Sequence, residues 1–242
     1  MTRVAIIQPN YLPWRGYFDI IQAVDVFIFL DDVQYTVRDW RNRNRIKKAD
    51  GTSSWLSVPI LGGRDQRILD VKVDNGQDWP RKHLASLRHS YGCCPHFEPY
   101  FSQLSELLLS RQSRLAELDI TLTVALCGWL GLDRCRFVRA SELHAGGVKD
   151  DRLIQLVQGV GGAAYLSGPA AKEYIRPERF AEAGIALSYH DYSGYPAYPQ
   201  ISMPFDPHVT VLDLLFAVGP EAPEYIWGSR HSRTASPVPV RP

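Results

Sequence analysis

The chain has 242 residues, of which 45% are hydrophobic and 22% charged, so it can bury one substantial core. Its 27 lysines and arginines nearly balance 26 acidic residues, and a net charge of +1 excludes a general attraction to polyanions, so nucleic acid is not an expected partner. We find neither a signal peptide nor a stretch of about 20 apolar residues that could cross a membrane, which predicts a cytoplasmic protein with no membrane partner.

The first elements predict a βαβ unit. Residues 4–7 form an apolar run that ends at Gln8-Pro9, residues 16–24 carry apolar side chains at helical spacing, and residues 26–30 form a second apolar run. A strand, a helix and a second strand within some thirty residues are typical of a crossover that joins two parallel strands.

The rest of the chain continues the α/β pattern after an insertion. Residues 55–60 and 68–73 predict a β-hairpin inserted at the edge of the sheet, and three helices at 79–90, 101–109 and 114–130 predict a helical middle layer. Later segments predict strands and helices in alternation, with strands at 136–139, 163–166 and 186–189 and helices at 150–160, 170–183 and 209–218. We therefore expect an α/β fold with a mostly parallel sheet and helices on both faces.

The domain boundaries follow from this pattern. No linker divides residues 1–228, which are expected to form one domain. Residues 229–242 lack periodicity and predict a disordered tail or a cloning remnant.

Polar residues follow each predicted strand of the sheet. Because ligands of parallel sheets bind beyond the carboxyl ends of the strands, these positions predict a site at one rim. Each of them alone also has an ordinary interpretation as a turn or cap residue. The positions are Gln8, Asp31-Asp32, Ser141-Glu142, Ser167-Gly168 and His190-Asp191.

The densest polar segment follows the second strand. If the segment from Arg41 to Arg45 is extended, Arg41, Arg43 and Arg45 share one face and Asn42 and Asn44 the other. Such a row of guanidinium groups suits a phosphate or carboxylate. The alternative is an internal network of salt bridges between aspartates and these arginines, or a solvated loop.

A predicted helix supplies a second group of candidates. Lys82 and His89 share a face of the helix at 79–90, and Tyr91 follows it. His89 and His190 are candidate proton carriers, because an unperturbed imidazole titrates near neutrality. The cysteines and histidines show no spacing typical of a metal site, and no motif names a cofactor.

The opening of the chain closely resembles that of the WbqC-like protein family, and the likeness extends from about residue 3 to 220. The segments that carry it include Gln8-Pro9, Tyr11-Leu12-Pro13, Gly16-Tyr17-Phe18, Asp31-Asp32-Val33-Gln34-Tyr35 and Asn42-Arg43-Asn44-Arg45-Ile46. We add Tyr11 and Tyr17, which lie in these segments, to the predicted substrate-binding residues. Proteins of this family are associated with O-antigen and other glycan gene clusters and with specialised-metabolite (natural product) pathways. The resemblance implies a transferase-like role in biosynthesis.

A second analogy concerns the layout of the first βαβ unit, which is similar to that of nucleotidylyltransferases (HUP-type folds). Their HxGH motif opens the first helix, whereas this chain has Trp14-Arg15-Gly16-Tyr17 there. Because Trp14 and Tyr17 replace both histidines, the fold analogy does not carry the nucleotidyl-transfer chemistry with it.

The leading hypothesis is an enzyme that transfers an acyl, aminoacyl or related group to a small acceptor that bears an amine or hydroxyl. The substrate carries an anionic group held by the arginines, Asp31 or Asp32 orients the acceptor, and His89 or His190 carries the proton. One alternative is a nucleotide-dependent enzyme in which the aspartates bind a hard cation. Another is a non-catalytic scaffold for a biosynthetic enzyme. The cofactor is unknown, and a homo-oligomer is left open.

Overall fold

The computed structural model of the chain describes residues 1–228. The strands in this part are β1 (Arg3–Ile7), β2 (Val26–Phe29), β3 (Arg43–Lys47), β4 (Ser53–Ser57), β5 (Ile60–Leu61), β6 (Lys72–Val73), β7 (Arg136–Arg139), β8 (Ala164–Ser167) and β9 (Ala186–Tyr189). The helices are α1 (Arg15–Gln22), α2 (Trp79–Tyr91), α3 (Phe97–Leu109), α4 (Leu115–Trp129), α5 (Ala140–Leu143), α6 (Asp150–Gly159), α7 (Pro177–Glu182) and α8 (Val211–Val218). The predicted tail at 229–242 lies outside the described residues.

The main sheet has five parallel strands in the order β7-β2-β1-β8-β9, which confirms the predicted α/β fold. The chain runs from the central β1 outward through β2 to β7, and then crosses to β8 and β9 on the other side. Neighbouring crossovers therefore diverge between β1 and β8, and a crevice opens at the carboxyl ends of these two strands.

Both faces of the sheet are buried, because each strand alternates its apolar side chains between two cores. Ala5 and Phe27 belong to the larger core with α1, α2, α3, α4 and α8, whereas Val4 and Ile28 belong to a smaller core with α6 and α7. The continuous apolar runs of β1 and β2 follow from this arrangement.

The region after β2 pairs differently from the expected hairpin. β3 pairs antiparallel with β4, and Trp55 lies opposite Arg45. The predicted pairing of 55–60 with 68–73 is present only between β5 and β6, where Ile60 lies opposite Val73. Both pairs form two-stranded sheets separate from the main sheet. The reason is that β3, whose Asn44 and Ile46 are buried, supplies the partner for β4.

The segment predicted as one helix at 170–183 is interrupted. A 3₁₀ turn covers Pro169–Glu173, and α7 starts only at Pro177. Arg176 is extended, because the ring of a following proline disfavours helical backbone. A further helix, α5, directly follows β7 and was not predicted.

Candidate functional site

A cleft of about 630 Å³ lies at the crevice between β1 and β8. In open parallel sheets this is the position at which ligands bind. Its walls come from the ends of β1, β2 and β8, from the loop before β3 and from the start of α6. The polar lining residues are Gln8, Arg41, Lys149, Arg152, Ser167, Tyr174 and Tyr192, and Gly168 also lines the cleft.

Three of the lining side chains carry a positive charge. Arg41 donates hydrogen bonds to Asn10 and Asp39, and its Nε is buried without a partner among the described residues. Burial lowers the pKa of Arg41 below its ordinary value, while Asp39 opposes that change. Lys149 is exposed at the start of α6, and Arg152 follows one turn later. The cleft therefore presents a cationic wall suited to a carboxylate or phosphate.

The two aspartates after β2 have separate partners. Asp32 forms an ion pair with Arg152, and both side chains are largely buried, at 12% and 22% exposure. Asp31 accepts hydrogen bonds from the backbone N–H of Ser141 at 3.0 Å and from its hydroxyl at 2.8 Å. Burial raises the pKa of Asp31, although the hydrogen bonds from Ser141 oppose this. Asp31 thus ties the end of β2 to α5, and Asp32 pairs with a cation of the cleft.

His190 does not line the cleft but packs behind Tyr192, which does. Its Nε2 is 2.8 Å from Oδ2 of Asp19, and the hydroxyl of Tyr195 donates to the same oxygen at 2.5 Å. The imidazole contacts the ring of Tyr192 with centroids 4.7 Å apart, and Tyr192 lines the cleft. The neighbouring Asp191 accepts hydrogen bonds from Ser193, as an ordinary turn residue does.

The predicted arginine row is divided among different partners. Of its members only Arg41 lines the cleft. Arg43 lies 4.2 Å over the ring of Trp55, and Arg45 pairs with Asp206 at 3.4 Å. The alternation of β3 is as expected, but β3 belongs to the β3–β4 hairpin and not to the rim of the main sheet. Arg41 and Arg45 have the aspartate partners Asp39 and Asp206, whereas Asp31 and Asp32 contact Ser141 and Arg152 instead.

The two asparagines of the same segment stabilise loops. The amide of Asn42 donates to the carbonyl of Val58 at 2.9 Å. Asn44 is buried, and its amide donates to the carbonyl of Leu12 at 2.8 Å, which holds the loop after β1. Neither hydrogen bond faces the cleft.

The remaining candidates lie away from the cleft. Tyr17 is buried and donates to the carbonyl of Gln8 at 3.1 Å, and Tyr91 is buried and accepts from the backbone N–H of Lys47. Lys82 and His89 are exposed on α2.

Tyr11 is buried against His83, a histidine of α2 that was not among the predicted site residues. Its hydroxyl is 2.8 Å from Nδ1 of His83, whose Nε2 is 3.2 Å from the carbonyl of Ser57. Burial lowers the pKa of His83 to about 4, so the ring is neutral at physiological pH and serves packing.

A second pocket of about 260 Å³ adjoins the cleft. The two share a border at two places: Asn10 of the pocket accepts a hydrogen bond from Arg41 of the cleft, and Trp14 of the pocket packs on Tyr192 of the cleft at 5.3 Å. The pocket is lined by Asn10, Pro13, Trp14, Trp40, Asn44 and His208.

Gly16 allows Trp14 to occupy the wall of this second pocket. A Cβ on Gly16 would lie 2.3 Å from the indole, which Tyr192, Tyr195 and His208 prevent from moving away. We expect Gly16→Ala to destabilise the protein by about 1–3 kcal/mol, a loss of roughly 2–4 °C in melting temperature for each kcal/mol. Thermal unfolding measures this loss.

Gly128→Ala is the matched control for this prediction. Gly128 lies within α4, and nothing approaches its Cβ position within 4 Å. Alanine there should stabilise the helix by up to about 1 kcal/mol. Equal melting temperatures for Gly16→Ala and the wild type would contradict the proposed packing of Trp14.

The residues that sequence reasoning missed are Lys149, Arg152, Tyr174, Tyr192 and Asn10. A partial signal was present, since Lys149 and Arg152 are three residues apart at the start of a predicted helix. What the sequence lacks is the strand order, and without it the crevice between β1 and β8 cannot be located.

Other chemistries have weaker support in this part of the chain. The four cysteines are free thiols, and burial raises the pKa of Cys94 to about 11 and that of Cys135 to about 12. Within residues 1–228 no three His, Cys, Asp or Glu side chains are grouped as metal ligands. None of the helices described for these residues is both long and apolar enough to cross a membrane.

Comparisons with known proteins identify a matching family and a similar protein. The model of the WbqC-like protein family matches residues 8–225. The chain is 42% identical over 229 residues to the uncharacterized protein Rv1507c of Mycobacterium tuberculosis, and the match covers 93% of this chain and 98% of that protein. No solved structure matches the chain.

Proposed function

The chain belongs to the WbqC-like protein family, and from this premise we propose that it is a biosynthetic transferase. It moves an acyl, aminoacyl or related group from a donor with an anionic part to a small acceptor with an amine or hydroxyl. The pathway is glycan or specialised-metabolite biosynthesis, and the site is the cleft between β1 and β8.

The observation that carries the proposal is the cationic wall of the cleft. Arg41, Lys149 and Arg152 come from different parts of the chain, and they converge at the point of the sheet where ligands bind. A carboxylate or phosphate of the donor would accept charge-assisted hydrogen bonds from the terminal nitrogens of these side chains.

The geometry also suggests how the transfer proceeds. The acceptor nitrogen or oxygen attacks the carbonyl carbon of the donor and forms the new bond, while the bond to the leaving group breaks. The cationic wall stabilises the leaving group, which departs with the anionic part. The proton of the acceptor leaves at the Tyr192 side of the cleft; His190, whose Nε2 faces Asp19, lies behind Tyr192 and takes up the proton through a bridging water and not by direct contact.

A nucleotide-dependent enzyme is the second candidate. The order of the main sheet and the position of its crevice are shared with doubly wound nucleotide-binding folds, and a cleft of about 630 Å³ can hold a nucleotide. In this case the cationic wall would bind the phosphates. Asp31 and Asp32 already have Ser141 and Arg152 as partners, so binding a magnesium ion through them would require those contacts to break.

A thermal-shift screen tests the proposal. Nucleotides with and without magnesium, nucleotide sugars, acyl-CoAs and amino acids are added to the wild type, to Lys149→Gln and to Lys48→Gln. A ligand at a hundred times its dissociation constant adds about 2.7 kcal/mol, which is roughly 5–10 °C at this chain length. We expect an anionic donor to stabilise the wild type and Lys48→Gln, and to stabilise Lys149→Gln less.

The two lysines form a matched pair. Both are surface cations, but Lys149 lines the cleft, whereas Lys48 pairs with Asp50 in the β3–β4 turn. Stabilisation by nucleotides alone would favour the second candidate. Silence of the wild type across the whole panel would overturn both and leave the scaffolding protein as the remaining hypothesis.

A further inference from the structure

The second pocket offers a different chemistry from that of the cleft. We propose that it is the acceptor subsite and that it takes a neutral, hydroxyl-bearing ring of the pyranose type. The inference rests on the proposed function, because it assigns the donor to the cleft and the acceptor to the adjoining pocket. Its volume of about 260 Å³ is below the range of about 300–1,000 Å³ for whole ligand sites, which fits one ring.

The walls of the pocket favour a ring with an apolar face. Trp14, Trp40 and Pro13 supply apolar surface, and Trp40 is 40% exposed although it is a large apolar residue. Trp40 packs on Trp55 at 5.5 Å with a tilt of 42°. Exposed indoles grouped at a pocket are a recurring mark of a binding surface.

The polar groups of the pocket favour hydroxyls. Asn10 uses Oδ1 to accept from Arg41, so its NH₂ group is what it can offer a ligand. His208 adds an imidazole at the exposed side of the pocket. The Asn10 amide can donate to sugar hydroxyls, and the His208 imidazole can donate to them or accept from them.

The surrounding charges favour a neutral ring. The pocket has no carboxylate among its lining residues within the described chain, and Arg41 and Arg45 flank it, since Arg45 donates to the carbonyl of His208. Asp39 and Asp206 pair with these two arginines, so the border of the pocket is balanced in charge and does not select a charged ring. The reacting amine or hydroxyl of the acceptor is expected at the border with the cleft, beside Arg41 and Tyr192.

The ring geometry disfavours a flat base. Trp14 and His208 are tilted by 48° relative to each other, so a planar ring can lie parallel to only one of them. The two rings are in contact, with centroids 6.0 Å apart, so a flat base cannot lie between them and could stack on one face only. A puckered ring needs only one indole face and places its hydroxyls at the edge.

Ligand-observed NMR and tryptophan fluorescence test the assignment with the full chain. The probes are the methyl glycosides of glucose, galactose, N-acetylglucosamine, rhamnose and fucose, together with adenosine and inorganic pyrophosphate. The variants are Trp40→Ala in the pocket, Lys149→Gln in the cleft and Trp129→Phe as control. Trp129 lies on α4, packs on Tyr100 and lines neither pocket.

We expect at least one glycoside to bind the wild type, and Trp40→Ala to weaken it by about tenfold or more, because one aromatic face is lost. Lys149→Gln and Trp129→Phe should bind that glycoside as the wild type does, and of the three variants only Lys149→Gln should weaken the binding of pyrophosphate. Glycoside silence with pyrophosphate binding intact would overturn the subsite and leave the proposed function standing. Binding of adenosine that is lost in Trp40→Ala would also overturn the assignment of the pocket to a pyranose ring. If the wild type does not bind pyrophosphate, the proposed function itself is contradicted.

Discussion

Replacing either member of the Asp32–Arg152 pair will destabilise the folded protein by about 3 kcal/mol, whereas replacing both will cost less than the sum of the two. Each single substitution leaves a largely buried charge without its partner. The variants are Asp32→Asn, Arg152→Met and the double variant. Urea unfolding of the four proteins gives the coupling free energy of the pair.

The pair Asp151–Arg179 is the matched control. It joins α6 to α7 with the same residue types, but its side chains are 47% and 37% exposed. Exposed ion pairs contribute about 0–1 kcal/mol, so its double-mutant cycle should show little coupling. Equal coupling in the two cycles would contradict the buried role of Asp32 and Arg152.

The same variants have opposite expected effects on ligand binding. Arg152→Met removes a cation of the cleft, so it should weaken an anionic ligand by about tenfold or more. Asp32→Asn removes the carboxylate that competes for the guanidinium, so the ligand should bind as well as or better than to the wild type. Equal weakening by both would mean that the ion pair with Asp32 is needed to hold Arg152 in place for the ligand.

The rim of the sheet could be predicted from sequence because it depends on local patterns. Apolar runs ended at Gln8, Asp31 and Ser167, and parallel strands bring such ends to one edge. The strand order depends on how crossovers pack, and no local pattern encodes it. The crevice between β1 and β8, with Lys149 and Arg152, therefore emerged only in three dimensions.

The arginine segment shows the same limit in a single strand. The alternation predicted for Arg43, Asn44 and Arg45 holds, and Asn44 is buried while its neighbours are not. The alternation says which side chains share a face, but not what that face meets. Pairing with β4 places Trp55 beside the arginines, so Arg43 stacks on an indole instead of binding an anion.

Asp119 is a buried carboxylate of α4 that the helical pattern did not single out. It is fully buried within the apolar face of α4, and neither carboxyl oxygen has a hydrogen-bond partner among the described residues. Burial raises its pKa well above the ordinary value, and the charge of Arg41 opposes this only in part. We therefore expect the side chain to carry a proton in the folded protein.

Asp119→Asn should leave stability unchanged near pH 4 and increase it progressively at higher pH. In the wild type, the unfolded chain releases the proton above a pKa of about 3.9, whereas the folded chain keeps it. Wild-type stability is therefore lost as the pH rises towards the folded pKa, by about 1.4 kcal/mol per pH unit. The neutral asparagine does not have this loss. Urea unfolding from about pH 4 to 8 measures the difference.

Asp133→Asn removes an exposed carboxylate shortly after α4 and controls for the loss of one charge. If Asp119→Asn destabilises the protein by the same amount at every pH, Asp119 is instead ionised and paired with Arg41. The distinction bears on the cleft, because an ionised Asp119 would neutralise Arg41 from behind, whereas a protonated one leaves its charge for a ligand. Asp119→Asn should therefore bind an anionic ligand as the wild type does.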